Sequence, residues 1–332
     1  MSRVLSGMRP TGPLHLGHLL GALENWKELQ KGHECFFMVA DLHALMGEYE
    51  DVSGLKRNTK EMVIDWLACG IDPEKSTLFV QSEIPEHAEL ALILGMMTPL
   101  GWLERNPTYK EQLREIQGRD LTTFGFLGYP VLQAADILLY KADLVPVGED
   151  QLAHLELTRE IARRFKHLYK EDIFPEPKAL LTKEARILGT DRRKMSKSYG
   201  NAINLSDTEE EVLKKVRSMI TDPARIKKSD PGHPDVCNVY SYYRIFSDEK
   251  TTREVHDWCS NAKKGCTECK KDLASILVDK MRPIWERRKK YEKDETLVES
   301  ILKNGRQRAS NAAQRTLQEV KKILNLCRTG DW

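Results

Sequence analysis

"MRPTGPLHLGHLLGAL", Met8 to Leu23, follows the short apolar run "VLS", Val4 to Ser6, and opens a helix directly after a strand. Pro13 suits a first helical turn, and Gly17 and Gly21, four apart, clear one helical face so that a flat ligand can approach the backbone. His15 and His18, three apart, share a side near the positive helix end, where phosphates are favoured. On spacing alone the same two side chains also read as a zinc half-site or as two surface histidines.

Working outward, three more strand-length runs are bounded by Gly, Pro or Asp: "CFFMVA" (Cys35 to Ala40), "TLFVQ" (Thr77 to Gln81) and "LVPVG" (Leu144 to Gly148). Between them, Leu55 to Leu67 and Gln151 to Phe165 have helical period. Strands alternating with helices predict an α/β, Rossmann-type parallel sheet, with ligands at the carboxyl ends of its strands. After about Asn204 the strand signals stop. "DTEEEVLKKVRSMI" opens with an Asp cap and an acidic first turn, and "SNAAQRTLQEVKKILNL" carries an apolar stripe at Ala313, Leu317, Val320, Ile323 and Leu324. The predicted organisation is a Rossmann-fold catalytic domain over 1–190, a loop over 191–204, and a smaller all-helical C-terminal domain over 205–332.

The 332 residues, 40% hydrophobic and 31% charged, describe a globular protein. No apolar run reaches the length of a membrane span and no signal segment opens the chain, so a cytoplasmic location is expected. The seven cysteines then read as thiols or metal ligands. Cys237, Cys259, Cys266 and Cys269 form C-x21-C-x6-C-x2-C; four thiolates with a tight CxxC end suit zinc or a cubane iron–sulfur cluster, against four separate buried thiols. Charge is uneven. From Asn261 to Trp332 there are 18 Lys and Arg against 10 Asp and Glu, a local +8, which leaves −6 before it. That asymmetry points to a polyanionic partner or to a solvated helix surface.

"HLGH" read together with "KMSKS", Lys194 to Ser198, resembles the two signatures of class I aminoacyl-tRNA synthetases. "RPTGPLHLGHLLGAL", "GIDPEKSTLFVQSE", "YPVLQAADILLY" and "VPVGEDQLAHLELTREIARRF" extend the likeness through the chain, which resembles the bacterial-type tryptophanyl-tRNA synthetases. The resemblance implies a ligase that uses ATP with Mg2+ to form tryptophanyl-adenylate and then charges tRNA(Trp), working as a homodimer. "ELALILGMMTPLGWLERN", Glu89 to Asn106, reads either as an interface or as an internal helix. The alternatives are a tyrosyl-tRNA synthetase and a tRNA-binding paralogue without catalysis.

Carried over residue by residue, the resemblance assigns catalysis to Lys194, Lys197, His15 and His18. ATP falls to Arg9, Thr11, Gly17, His18, Gly148, Glu149, Asp150, Lys194, Met195, Ser196, Lys197 and Ser198. Tryptophan falls to Leu5, Gly7, Tyr129, Gln133, Asp136 and Gln151, with Asp136 accepting the indole N–H. Tyr129, Gln133 and Asp136 share one helical face by spacing. The sequence departs from many members, which have Gln, Thr, Asn and Met where Arg9, His15, His18 and Gln133 stand. A minority of the family resembles the four-cysteine pattern and carries a [4Fe–4S] cluster near the anticodon-reading region, which ranks iron–sulfur ahead of zinc.

Overall fold

The computed structural model describes residues 1–106, 122–181 and 187–326. Cys327 and the side chain of Ser198 lie outside the described residues.

Five parallel strands, β1 (Arg3–Met8), β2 (Glu34–Val39), β3 (Ser76–Val80), β4 (Leu144–Val147) and β5 (Lys178–Leu181), form one sheet in the order β3-β2-β1-β4-β5. Every residue of β3 and all but the first of β2 are buried, as a sheet covered on both faces requires. That is why these runs are continuously apolar rather than alternating. Val4 pairs with Cys35 of β2 on one side and with Leu144 of β4 on the other. The strand order therefore reverses at β1, and a crevice opens at the carboxyl ends of β1 and β4. The expected strands are all present. β5 is an addition: its "KALL" is too short and too lightly buried to stand out in the sequence.

Helix Phe124–Leu139, capped by Thr123, packs between helices Glu86–Met97 and Leu152–Tyr169. Helices Glu209–Ser218, Asn238–Phe246, Glu249–Ser260, Cys266–Lys293 and Glu295–Ile323 make the second half, in agreement with the loss of strand signal after Asn204. The expected Asp cap is corrected to Thr208, which forms a capping box with Glu211. Asp207 instead accepts from the Asn204 amide at 2.7 Å and from Lys215 at 2.6 Å.

The helical half shares its hydrophobic cores with the sheet. Val212, Tyr242 and Leu273 cluster with Val4 and Phe37, and the predicted stripe of the last helix, Ala313, Leu317 and Val320, packs with Phe79 and Leu90. A Cβ on Gly305 would stand 1.7 Å from the carbonyl oxygen of Leu78, so only glycine lets that helix lie on β3. Buried Arg288, on helix Cys266–Lys293, pairs with Asp65 and Glu61 of helix Leu55–Ala68 and with Glu292 at 2.8 Å. A charge network thus reinforces apolar packing between the halves.

Candidate active site

A cavity of about 340 Å³ opens at the reversal point of the sheet. All six residues expected to hold tryptophan, Leu5, Gly7, Tyr129, Gln133, Asp136 and Gln151, line it, together with Arg9 and Gly148. β1 and β4 deliver Leu5, Gly7 and Gly148 at their carboxyl ends, while one face of helix Phe124–Leu139 delivers Tyr129, Gln133 and Asp136.

Asp136 is 2% exposed and carries three donors. Gln81 Nε2 donates to Oδ1 at 2.8 Å, His87 Nδ1 to Oδ1 at 2.6 Å, and His43 Nε2 to Oδ2 at 2.7 Å. Burial works to raise its pKa, but the adjacent His43 and the bonds from His43 and His87 outweigh it and hold the carboxyl below the usual range. The Tyr140 hydroxyl, kept protonated by burial, lies 2.8 Å from His87 Nε2 and donates to it, which leaves Nδ1–H for Asp136. Across the cavity, Tyr129 Oη lies 2.6 Å from His154 Nε2, and Asn106 Nδ2 lies 3.0 Å from His154 Nδ1. With the Asn106 amide donating to Nδ1, His154 donates to the Tyr129 oxygen and leaves the phenol hydrogen free for a ligand. Burial drives the His154 pKa down to about 4 and the Tyr129 pKa up to about 12.

The glycine–histidine turn forms the neighbouring wall. His15 caps the helix start: its Nδ1 accepts from the Gly17 amide at 3.1 Å, while His18 Nδ1 accepts from the His15 amide at 3.2 Å. Both rings therefore keep hydrogen on Nε2. Burial, with Lys197 adding to it, lowers His15 to about 4; burial, then His15 and Lys197, lowers His18 to about 3. Both are neutral donors at pH 7. Gly17 has a different use from the one its spacing suggested, since a Cβ there would stand 2.9 Å from the His15 ring. Gly21 has open space around it.

The KMSKS loop closes over this turn. Leu16 N donates to Ile203 O at 3.0 Å and Leu205 N to Leu14 O at 2.8 Å, tying the two motifs together. Lys197 Nζ donates to Gly12 O at 2.8 Å, and burial lowers its pKa to about 8. Lys194 is exposed. Met195, expected among the ATP residues, is 5% exposed and sits in the hydrophobic core, where it anchors the loop. Arg9, Thr11, Glu149 and Asp150 are exposed, Ser196 is half-buried, and Gln151 Nε2 donates to Asp150 Oδ2 at 3.0 Å.

A model of the family described as tRNA synthetases class I (W and Y) matches residues 1–282. The chain is 54% identical over 326 residues to the tryptophan–tRNA ligase of Thermotoga maritima, covering 98% of this chain and 99% of the relative. With the tryptophan–tRNA ligase of Aquifex aeolicus it is 46% identical over 394 positions, covering 98% and 100%. It superposes with a TM-score of 0.89 and 33% identity on the tryptophanyl-tRNA synthetase of Campylobacter jejuni complexed with ADP and tryptophan, covering 97% of this chain and 99% of that one. The chain belongs to the bacterial-type tryptophanyl-tRNA synthetases of class I.

Within this synthetase, sequence reasoning missed the residues that hold the first layer in place. His43, Gln81, His87, His154 and Asn106 are single polar residues on separate elements, with no shared spacing to betray them. Asn201 was also missed: it is 2% exposed, accepts from Ser196 N at 2.9 Å and donates to Asp191 Oδ1 at 2.7 Å, stapling the KMSKS loop.

A second cavity lies in the helical half, bordered by Cys237, Cys259, Cys266 and Cys269 with Arg225, Trp258 and Lys264. Burial pushes the Cys269 thiol up to about 12, and each of the other three cysteines adds to the rise. Among the described residues, no three His, Cys, Asp or Glu converge as a site for a metal ion, although all four cysteines border this one space. No helix among the described residues is long and apolar enough to cross a membrane.

Proposed function

We propose that the cavity binds L-tryptophan, that its carboxylate attacks the α-phosphate of ATP to give tryptophanyl-adenylate and pyrophosphate, and that the aminoacyl group passes to tRNA(Trp). One observation carries the substrate assignment: Asp136 Oδ1 already has two donors, whereas Oδ2 has one and keeps an acceptor site at a cavity wall. An indole N–H fits that site, and an apolar isostere would leave it unpaired at about 1–3 kcal/mol. Leu5, Gly7 and Gln133 shape the pocket, and Tyr129 and Gln151 receive the amino acid's polar end. His15 and His18 offer Nε2–H groups to phosphate oxygens without adding charge. Arg9, Thr11, Gly17 and the turn Gly148, Glu149, Asp150 flank the nucleotide. Lys194 and Lys197, with Ser196 and Ser198 on the same loop, stabilise the leaving pyrophosphate; Mg2+ accompanying ATP shares that charge.

ATP–pyrophosphate exchange with tryptophan, with tyrosine and with neither tests this reading. Exchange with tryptophan alone is the expected result. Exchange driven by tyrosine overturns the specificity, and silence with both favours a tRNA-binding paralogue.

Residues 1–190 then form the catalytic part, 191–204 its KMSKS loop, and 205–332 the tRNA-reading part. The basic surface after Asn261 suits RNA phosphates. Leu92, Met96 and Leu100, all exposed, suit the contact of a homodimer. Met96→Asp is expected to yield monomers in sedimentation.

The four cysteines suit a [4Fe–4S] cluster by their resemblance to the family's four-cysteine pattern, with zinc as the alternative. A zinc ion draws its thiolates to within about 3.8 Å of one another, whereas a cubane ligates each through a different iron and needs a wider ring of sulfurs. Four cysteine side chains border one cavity, which supplies the four sulfur ligands that a cubane needs. When bound, the cluster supplies structural cross-linking among the loops and helices that carry Cys237, Cys259, Cys266 and Cys269. Stoichiometric zinc without iron or sulfide in protein purified under nitrogen would overturn this assignment.

A further inference from the structure

Arg225 borders the cysteine cavity and is held there by backbone carbonyls, with no carboxylate partner among the described residues. Its Nη2 donates to Lys228 O at 2.8 Å and to Lys264 O at 2.9 Å, bracing two loops. Its Nη1 points to Cys266 Sγ at 3.9 Å, and its Nε is buried with no hydrogen-bond partner among the described residues. A buried, unpaired guanidinium N–H is costly unless something accepts from it. The acceptors at hand are sulfurs: Arg225 borders the cavity together with Cys259 as well as Cys266. Gly232, on the same loop, would place a Cβ 2.5 Å from Cys259 Sγ, so the backbone is packed directly against that ligand. The other cations nearby are engaged elsewhere. Lys264 pairs with Asp272 and lies 4.4 Å from the Trp258 ring, and Lys228 pairs with Glu268 at 3.4 Å.

We infer that Arg225 is the charge-balancing and positioning residue of the iron–sulfur site, donating hydrogen bonds from Nη1 and Nε to the thiolates of Cys266 and Cys259. The inference rests on the cluster reading above and goes beyond it. A four-thiolate cluster is a net anion and gains one further negative charge on reduction. A fixed cation that donates to its sulfurs favours the reduced form and shields the thiolates from oxidants. The two carbonyls that hold Arg225 also couple cluster occupancy to the loop bearing Lys227 and Lys228 and to Lys263 and Lys264 at the start of the basic stretch after Asn261.

The experiment compares full-length wild type with Arg225→Met, Arg225→Lys and Lys228→Met, all purified without oxygen. Iron and sulfide analysis comes first, and a wild type with zinc alone overturns the cluster reading and the inference with it. On a loaded wild type, a redox titration followed by electron paramagnetic resonance reads the role of Arg225 separately. Arg225→Met is expected to lower the reduced-to-oxidised ratio at fixed potential about tenfold, a downward shift of about 59 mV for a one-electron couple. Cluster absorbance should also bleach several-fold faster in air. Arg225→Lys should fall between, and Lys228→Met, which removes the same charge outside the cavity lining, should match wild type. A loaded Arg225→Met with wild-type potential and bleaching, or an equal shift in Lys228→Met, overturns the inference. If the Arg225 variants fail to fold, pulsed paramagnetic resonance on reduced wild type labelled with 15N-arginine decides the matter. A nitrogen coupling to the cluster supports Arg225 and its absence refutes it.

Discussion

Asp136 and Lys197 both stand in low-dielectric surroundings at the carboxyl end of the sheet, and they are held in opposite ways. Asp136 has three fixed donors, themselves fixed by further residues such as Tyr140, so its geometry exists before any ligand arrives. Lys197 rests on one backbone carbonyl, that of Gly12, and Lys194 is exposed. The contrast follows from two different tasks. A site that discriminates by a hydrogen bond must be rigid, so that a wrong ligand leaves a buried group unpaired. A site that stabilises charge appearing late in a reaction needs cations able to leave a weak partner for a stronger one.

The sharpest test of this contrast is Asp136→Ala. It should lower kcat/KM for tryptophan about 1000-fold, since it removes the acceptor and strands His43, Gln81 and His87, while the KM for ATP stays within about threefold. Equal losses for both substrates in pyrophosphate exchange would move the indole acceptor elsewhere. Next comes Lys197→Ala, expected to slow single-turnover adenylate formation about 100-fold, with Lys194→Ala nearer tenfold. Both should leave the tryptophan dissociation constant, measured by fluorescence, at its wild-type value. Weak tryptophan binding with normal activation at saturation would assign the loop to ground-state binding.

A smaller effect concerns pH. Lys197 titrates at about 8 in the free protein, so kcat/KM for ATP should fall as pH rises through about 8. Lys197→Arg should move that limb beyond the accessible range; an unchanged limb would give it to another group. Smallest is the stability contribution of His15 and His18, the first buried and the second half-buried. Their folded pKa values, about 4 and about 3, lie below the ordinary 6.5, so between these limits the unfolded chain binds more protons. Stability is then present in full above pH 6.5 and is lost as pH falls through about 4 toward about 3. The Tm should drop by a few degrees from pH 7 to pH 5, and His18→Asn should flatten that slope.

The two regions also differed in how far they could be read in advance. Four of the strands and the face bearing Tyr129, Gln133 and Asp136 were legible, because period and apolar runs report burial directly. The partners of Asp136 were not. His43, Gln81 and His87 come from elements separated by long stretches of chain, and only the packing of sheet against helix brings them together. The inward turn of the Met195 side chain was not legible for a related reason: the motif marks the loop but not which of its side chains packs into the core. β5 escaped because a four-residue strand at a sheet edge carries too few buried positions to make a pattern.

The contact between Gly305 and Leu78 has a consequence for how the protein is made. β3 is an outermost strand of the sheet, and the helix that packs on it, Glu295–Ile323, is synthesised only after all five strands. Until then the nascent sheet carries an apolar flank without its cover, a state prone to pair with other chains. Covering of that flank thus waits until the segment around Gly305 has been made, and a chain that stops short of it is expected to partition to chaperones rather than persist as a truncated enzyme.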